Sequence, residues 1–172
     1  MSQRIISASA APYDGYDRDE MLASISRLGF THVEPAFIVG YTEAFTEAVF
    51  TARHAQEWAS SIKDAGLGCH AMSSHIDLSG DEAVGIFARR MEFASGIGAR
   101  VIISNAGPAQ RKLQFLRNME KLVARADALH ISIALENPGD GSDSIFNVAS
   151  EGLALIAQIG SDRVGLNYDA AN

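Results

Sequence analysis

The sequence predicts an α/β fold of the (β/α) TIM-barrel type, a partial barrel of about six parallel strands forming one domain over residues 1–172. Short apolar segments alternate with longer amphipathic segments, at a spacing of roughly 30 residues. Strands that are separated by helices of this length run parallel, with right-handed crossovers. Polar residues stand at the ends of strands two to six, which is typical of a barrel because its strand ends share one mouth.

The elements follow one another in a regular order. The predicted strands cover residues 4–9, 31–35, 67–76, 100–105, 131–136 and 164–169. The predicted helices cover residues 17–28, 54–65, 79–97, 108–129 and 145–159. Asp17 and Glu20 form a capping-box-like start of the first helix, and Gly29 suits its end. Ser79 and Glu82 predict a second capping box, at the start of the third helix.

An open, doubly wound sheet is the competing architecture for such a β-α repeat. That fold usually carries a glycine-rich turn after its first strand. Residues 10–15 read AAPYDG and contain no G-x-G-x-x-G pattern. Because the polar residues also recur at successive strand ends, the sequence favours the barrel.

Composition and charge limit the possible functions. Hydrophobic residues make up 47% of the chain and charged residues 20%, which is ordinary for a soluble domain. The net charge of −7 disfavours nucleic acid as a partner, because phosphate backbones are repelled. Cys69 is the only cysteine, so a disulfide framework and a thiolate metal cluster are both excluded. No membrane-spanning run and no signal peptide are recognisable, so a cytoplasmic location is expected.

Two carboxylates end neighbouring strands. Side chains alternate along a strand, so an inward Glu136 leaves Ile133 and Leu135 facing the helices, and an inward Asp169 leaves Leu166 facing outward. Neighbouring strands lie about 4.8 Å apart, so the two carboxylates are expected side by side. They repel each other unless they share a proton or a cation, and a hard divalent cation would satisfy them. The alternative is that they cap loops or pair with arginines.

Three further strand ends carry candidate binding residues. Glu34 lies at the end of strand two, where it can bind a sugar hydroxyl or pair with a structural arginine. His75 follows the apolar third strand and can bind substrate, or it can be a hydrogen-bonded structural histidine. Asn105 ends strand four, and loop capping explains it equally well. Cys69 lies early in a strand and is expected to be buried and unreactive.

Four segments carry a family resemblance, and they cover residues 29–34, 73–78, 134–137 and 165–172. These segments resemble the xylose isomerase-like barrel superfamily over essentially the whole chain. Its members include sugar epimerases, sugar phosphate isomerases, hydroxypyruvate isomerases, inosose dehydratases and a branch of apurinic endonucleases.

The resemblance implies a set of site residues. It makes Glu136 and Asp169 two ligands of a divalent metal (Mn, Mg, Zn or Co) and Asn172 a substrate contact. Glu34, His75 and Asn105 remain candidate substrate-binding residues because of their positions at strand ends. The family's remaining ligands, a histidine on strand seven and a glutamate on strand eight, have no counterpart in this sequence. Ketose 3-epimerases of the family place a substrate-binding glutamate where this sequence has Ser142, which argues against that reaction.

The resemblance therefore implies an isomerase or epimerase acting on a sugar, a sugar phosphate or another small polyhydroxy carbonyl compound. A proton next to the carbonyl would be removed to give an enediolate and then returned, with Glu136 as ligand and possible base. Because the ligands of strands seven and eight are absent, the sequence leaves open whether this chain is itself an enzyme. Weak or absent activity is expected.

Two other interpretations remain. The first is a non-catalytic fragment or an assembly subunit, since strands one and six would have unpaired edges that favour a homo-oligomer. The second is a barrel-type apurinic endonuclease, which the acidic charge disfavours.

Overall fold

The computed structural model describes residues 4–138 and 141–172, in which short parallel strands alternate with helices. The strands are β1 (Ser7–Ser9), β2 (His32–Glu34), β3 (Gly68–Cys69), β4 (Ala71–Asp77), β5 (Val101–Asn105), β6 (Ser132–Glu136) and β7 (Val164–Asn167). The helices are α1 (Arg18–Arg27), α2 (Ala52–Asp64), α3 (Ala83–Gly96), α4 (Lys112–Leu129) and α5 (Ala149–Ile159). No described helix combines the length and the apolar character needed to cross a membrane.

The strands pair in chain order, and every pairing is parallel. One sheet has the order β1-β2-β3 and the other has the order β4-β5-β6-β7. β1 lies at an edge, whereas a doubly wound sheet would place it centrally. The predicted partial barrel of parallel strands is confirmed.

The third predicted strand is wrong as a single element, because it divides at His70 into β3 and β4. β3 pairs with β2, whereas β4 pairs with β5. β4 nevertheless lies beside the chain that follows β2, since Ser73 donates its N–H to the Pro35 carbonyl at 3.0 Å. The segment that forms β3 and β4 therefore pairs with β2 at its start and with β5 farther on, which is consistent with strongly twisted, curved strands.

Two other strand ends differ from the prediction by two residues or more. β1 begins at Ser7, so Ile5 and Ile6 precede it, and β7 ends at Asn167, two residues before Asp169. The predicted helix 145–159 begins only at Ala149; before it, Ile145 and Phe146 are buried in the core, whereas Asn147 and Val148 are exposed.

Of the two helix starts predicted from capping residues, one is confirmed and one is wrong. Asp17 accepts bonds from the N–H groups of Asp19 and Glu20, as its position at the start of α1 predicts. The capping box predicted at Ser79 and Glu82 is wrong. The Ser79 hydroxyl donates instead to the Asp77 carboxylate at 2.5 Å, the same carboxylate accepts the Ser79 N–H at 2.8 Å, and α3 begins only at Ala83.

The main core lies between the strands and the outer helices. Alternate strand residues such as Ile102, Ile133 and Leu135 are fully buried there against helix side chains that include Phe87 and Phe115. The opposite faces of the same strands point inward. The chain thus forms a curved wall with its apolar core outside and a polar inner surface at the carboxyl ends of the strands.

Candidate active site

A cavity of about 780 Å³ opens at the carboxyl ends of the strands. All the site residues proposed from the sequence line it, namely Glu34, His75, Asn105, Glu136, Asp169 and Asn172. Parallel strands explain this convergence, because each strand presents its last inward residue at the same end of the wall. Their separation along the chain is therefore no measure of their separation in space.

Glu136 ends β6, and 14% of its side chain is exposed. The Asn167 side-chain amide donates to Glu136 Oε2 at 2.5 Å, and the two residues are partners in the strand register. Burial raises the pKa of Glu136, the bond from Asn167 lowers it, and the charge of Asp169 raises it. The charge of Asp169 therefore acts on a carboxylate that is itself partly desolvated.

Asp169 lies beyond the end of β7 and is held there by Asn137. The Asn137 amide donates to the Asp169 carbonyl at 3.0 Å, and its oxygen accepts the Asp169 N–H at 2.9 Å. The Asp169 carboxylate accepts the N–H of Ala171 at 2.8 Å. Asn172 donates to the Asn137 carbonyl at 2.8 Å, so this amide supports the same turn while it also lines the cavity.

His75 lies in β4 where the register with β5 shifts. The shift is supported by the buried Ser104, whose hydroxyl accepts the Ile76 N–H at 3.0 Å and donates to the Ile76 carbonyl at 3.1 Å. His75 Nε2 is 3.8 Å from Glu136 Oε2, too far for a hydrogen bond. Burial lowers the pKa of His75, and the charges of Glu34 and Asp169 oppose this shift.

Two buried polar atoms at this site have no hydrogen-bond partner among the described residues. They are Nε2 of His75 and Oδ1 of Asn105, and both residues line the cavity. Leaving such atoms unpaired in a folded protein costs about 1–3 kcal/mol each. A polar ligand in the cavity would remove this cost, so the two atoms mark where one can bind.

Glu34 stands on the other side of the cavity, at the end of β2. Its Oε1 accepts a bond from the Ser73 hydroxyl at 2.7 Å. Ser73 itself lines the cavity and is almost completely buried. No sequence pattern selects Ser73, because it becomes a partner of Glu34 only when β4 crosses the end of β2.

Other cavity residues were also beyond sequence reasoning. Ile38 and Tyr41 come from the segment after β2 and line the cavity, as do Ser9 at the end of β1 and Pro12 in the segment after it. Neither segment has a periodic pattern that indicates which side chains turn inward. Asn167 is different, because strict alternation along the last strand places it inward with Asp169.

A divalent cation is the cofactor to consider here. Glu136 and Asp169 supply the carboxylate oxygens that a hard cation prefers, and the unpartnered amide oxygen of Asn105 is a further oxygen donor in the same cavity. Among residues 4–138 and 141–172, no group of three or more His, Cys, Asp or Glu side chains could hold a metal ion. Two carboxylates alone would leave most of the ligand shell of a hard cation to water or to oxygens of another molecule.

Solved structures of similar fold include three epimerases. A D-psicose 3-epimerase, crystallised in the presence of D-fructose, is 16% identical with a TM-score of 0.71, over 90% of this chain and 58% of that chain. An L-ribulose 3-epimerase is 23% identical with a TM-score of 0.71, over 95% and 60%. The 3-keto-D-glucoside 4-epimerase from E. coli is 13% identical with a TM-score of 0.75, over 97% and 68%.

At these low identities, the TM-scores establish a shared fold and nothing beyond it. The chain spans 58% and 60% of the lengths of the two 3-epimerases. Comparison of the sequence with curated proteins gives no significant match. The profile of the family described as xylose isomerase-like TIM barrel matches residues 22–172, which include Glu34, His75, Glu136 and Asp169. With this match over most of its length and with the barrel-type strand order, the chain belongs to the xylose isomerase-like TIM barrel family.

Proposed function

We propose that the cavity binds a small polyhydroxy carbonyl compound, a sugar or sugar phosphate, and that the reaction is an isomerisation or epimerisation by proton transfer next to the carbonyl. The observation that carries this proposal is the convergence of Glu136 and Asp169 with amide, imidazole and hydroxyl groups in one cavity. Solved structures of the same fold include epimerases described as acting on psicose, ribulose and a keto-glucoside, which supports the substrate class.

Glu136 is the proposed base. A carboxylate whose pKa is raised by burial holds a proton more readily than an exposed one and so accepts it more effectively from carbon. The amide of Asn167 holds one oxygen of this carboxylate in place. The proton would be returned to the same carbon or to its neighbour.

His75 and Asn105 are the proposed hydroxyl-binding groups, because each has an unpartnered atom at the cavity. A neutral imidazole both donates and accepts, which suits a sugar hydroxyl, and the lowered pKa of His75 favours the neutral form. Glu34 and Asn172 complete the proposed set from opposite sides.

Glu136 and Asp169 would hold the divalent cation, whether Mn, Mg, Zn or Co. When bound, such a cation polarises carbonyl and hydroxyl oxygens and stabilises the charge that develops on them. Because the described residues offer two carboxylates and no third ligand of the His, Cys, Asp or Glu type, we expect weak metal binding and slow turnover by this chain.

We also propose that the chain self-associates. Ile6 and Tyr168 lie next to the two edge strands β1 and β7, and they are 66% and 74% exposed. Edge strands and large exposed apolar side chains both favour contact with another chain. A second copy is the partner we expect. Cytoplasmic location, and the absence of nucleic acid and membrane partners, remain predictions from the sequence.

Exchange of carbon-bound hydrogen with solvent tests the proposed chemistry. The protein is incubated with ketoses, aldoses and their phosphates in D₂O containing Mn²⁺, Mg²⁺, Co²⁺ or Zn²⁺, and deuterium uptake next to the carbonyl is followed by NMR. We expect slow uptake from at least one sugar, lost in Glu136→Gln and retained in Glu120→Gln, an exposed glutamate on α4. Uptake that survives Glu136→Gln would contradict the assignment of the base.

A further inference from the structure

Arg90, on α3, is almost completely buried, with 1% of its surface exposed. Its Nε donates to Glu47 Oε2 at 3.3 Å and its Nη2 to Glu47 Oε1 at 2.5 Å. Its Nη1 donates to the hydroxyl of Ser74 at 3.1 Å. A buried guanidinium is tolerated only when its nitrogens are paired, so these contacts constrain both partners to one geometry.

The residues around Arg90 belong to the segment 36–50, which we call the wall segment. The Arg90 Cζ atom lies 5.3 Å from the Phe45 ring centroid and 4.9 Å from that of Phe50. Glu47 completes this cluster with its paired carboxylate. The same wall segment supplies Ile38 and Tyr41 to the cavity, so whatever fixes its middle also fixes part of the binding surface.

Arg90 also contacts the strand that carries the site histidine. Ser74 is fully buried in β4, and its neighbours in sequence are Ser73, which donates to Glu34, and His75. A single guanidinium therefore joins two parts of the cavity that are otherwise separate in sequence. One part is the wall segment, and the other is the strand end that carries His75.

The two ends of the wall segment have other attachments. The Phe37 N–H donates to the Ser73 carbonyl at 2.9 Å, and Thr51, which follows the segment, caps α2 through its hydroxyl. Loss of Arg90 would leave these ends in place. Increased motion of the backbone is thus expected between these two ends.

We propose that Arg90 is a positioning residue of the cavity, which holds the wall segment against β4 and so places Ile38, Tyr41 and His75 relative to one another. Arg90 itself is not among the residues that line the cavity. The inference rests on the proposed function only for the nature of that ligand, because the hold on the wall segment exists without it.

Hydrogen exchange of backbone amides tests directly whether Arg90 holds the wall segment against β4. Arg90→Met keeps an unbranched apolar chain beside Phe45 and Phe50 but removes the charge, and the partly exposed Glu47 can then be hydrated. Peptides covering 38–50 and 71–77 should exchange about tenfold faster in Arg90→Met, whereas peptides from α4 and β6 should keep the wild-type rate. Arg90→Lys, which keeps one donor, should fall between the two.

A matched control separates local release from general destabilisation. Met119→Ala removes a fully buried side chain of α4, away from the wall segment, and is compared at equal distance below its own melting temperature. The proposal would be overturned if amide exchange of residues 38–50 were accelerated equally in Met119→Ala and Arg90→Met. It would also be overturned if Arg90→Met exchanged at the wild-type rate.

The cavity itself supplies the second readout. For any sugar that takes up deuterium with the wild-type protein, Arg90→Met should raise KM about tenfold and change kcat much less. The reason is that the wall segment is displaced while Glu136 stays in place. An unchanged KM would overturn the positioning role. Absence of uptake from every sugar would contradict the proposed function, and amide exchange would still decide whether Arg90 holds the wall segment.

Discussion

Asn137 and Asp169 are joined by two hydrogen bonds that run in opposite directions, from the Asn137 amide to the Asp169 carbonyl and from the Asp169 N–H to the Asn137 amide oxygen. Asn137 directly follows Glu136 in sequence. This reciprocal pair thus sets how far the second candidate carboxylate lies from the first, although β7 itself ends before Asp169.

Asn137→Ala is expected to destabilise the fold by about 1–3 kcal/mol, because it leaves the partly buried N–H and carbonyl of Asp169 without their partners. Urea unfolding measures this change. Asn147→Ala, at an exposed position, is the control and should be nearly neutral. The Mn²⁺ affinity should fall in the Asn137 variant and not in the control, and an unchanged affinity would show that the reciprocal pair does not organise a metal site.

The pH dependence of the free energy of unfolding should reveal the titration of His75. Because its pKa is lowered in the folded state, the unfolded chain binds more protons once the pH falls below 6.5. Stability is therefore expected to be lost as the pH falls from 6.5 through the folded-state pKa. His75→Gln should remove this part of the slope, as measured by urea unfolding across pH 5–8, and an unchanged slope would refute the prediction.

Glu136 should act in the opposite sense. Its pKa is raised above 4.5 in the folded state, so the folded chain binds more protons between 4.5 and that raised value. Stability is thus expected to decrease as the pH rises through this interval. Glu136→Gln should flatten the profile there and stabilise the protein at neutral pH. A variant less stable than wild type at pH 7 would contradict the sign.

Cys69 is expected to react slowly with thiol reagents. Burial raises its pKa to about 12, with a smaller contribution from the charge of Glu34, so almost no thiolate is present at pH 8. Alkylation by iodoacetamide should be much slower in the native protein than in urea. Equal rates in the two states would mean that β3 opens readily.

Gly107 occupies a position that only glycine fits. Its φ is +114°, and a Cβ atom built there would lie 2.1 Å from Asp77 Oδ1. Gly107→Ala is expected to cost about 3 kcal/mol or more, because left-handed strain adds to the steric overlap. Gly141→Ala is the matched control, since its φ is also positive, at +70°, with nothing within 4 Å of the added atom. Similar losses in thermal unfolding would show that backbone strain alone matters.

Much of this arrangement is present in the sequence alone. Alternation along β6 and β7 directs Glu136 and Asn167 inward and Leu135 and Leu166 outward, because each strand must bury one face against the helices. The parallel strand order follows from the helices between the strands, since a crossover returns the chain to the same end. The sequence thus determined the fold class and which residues share the mouth.

The tertiary structure alone decided the contacts between distant segments. The division of the third strand at His70 arises from curvature, because one strand pairs with β2 at its start and with β5 farther on. The same geometry brings Ser73 to Glu34, and packing of the wall segment on α3 brings Glu47 to Arg90. No local pattern encodes these pairs, because each depends on the distance between surfaces that only the assembled wall brings together.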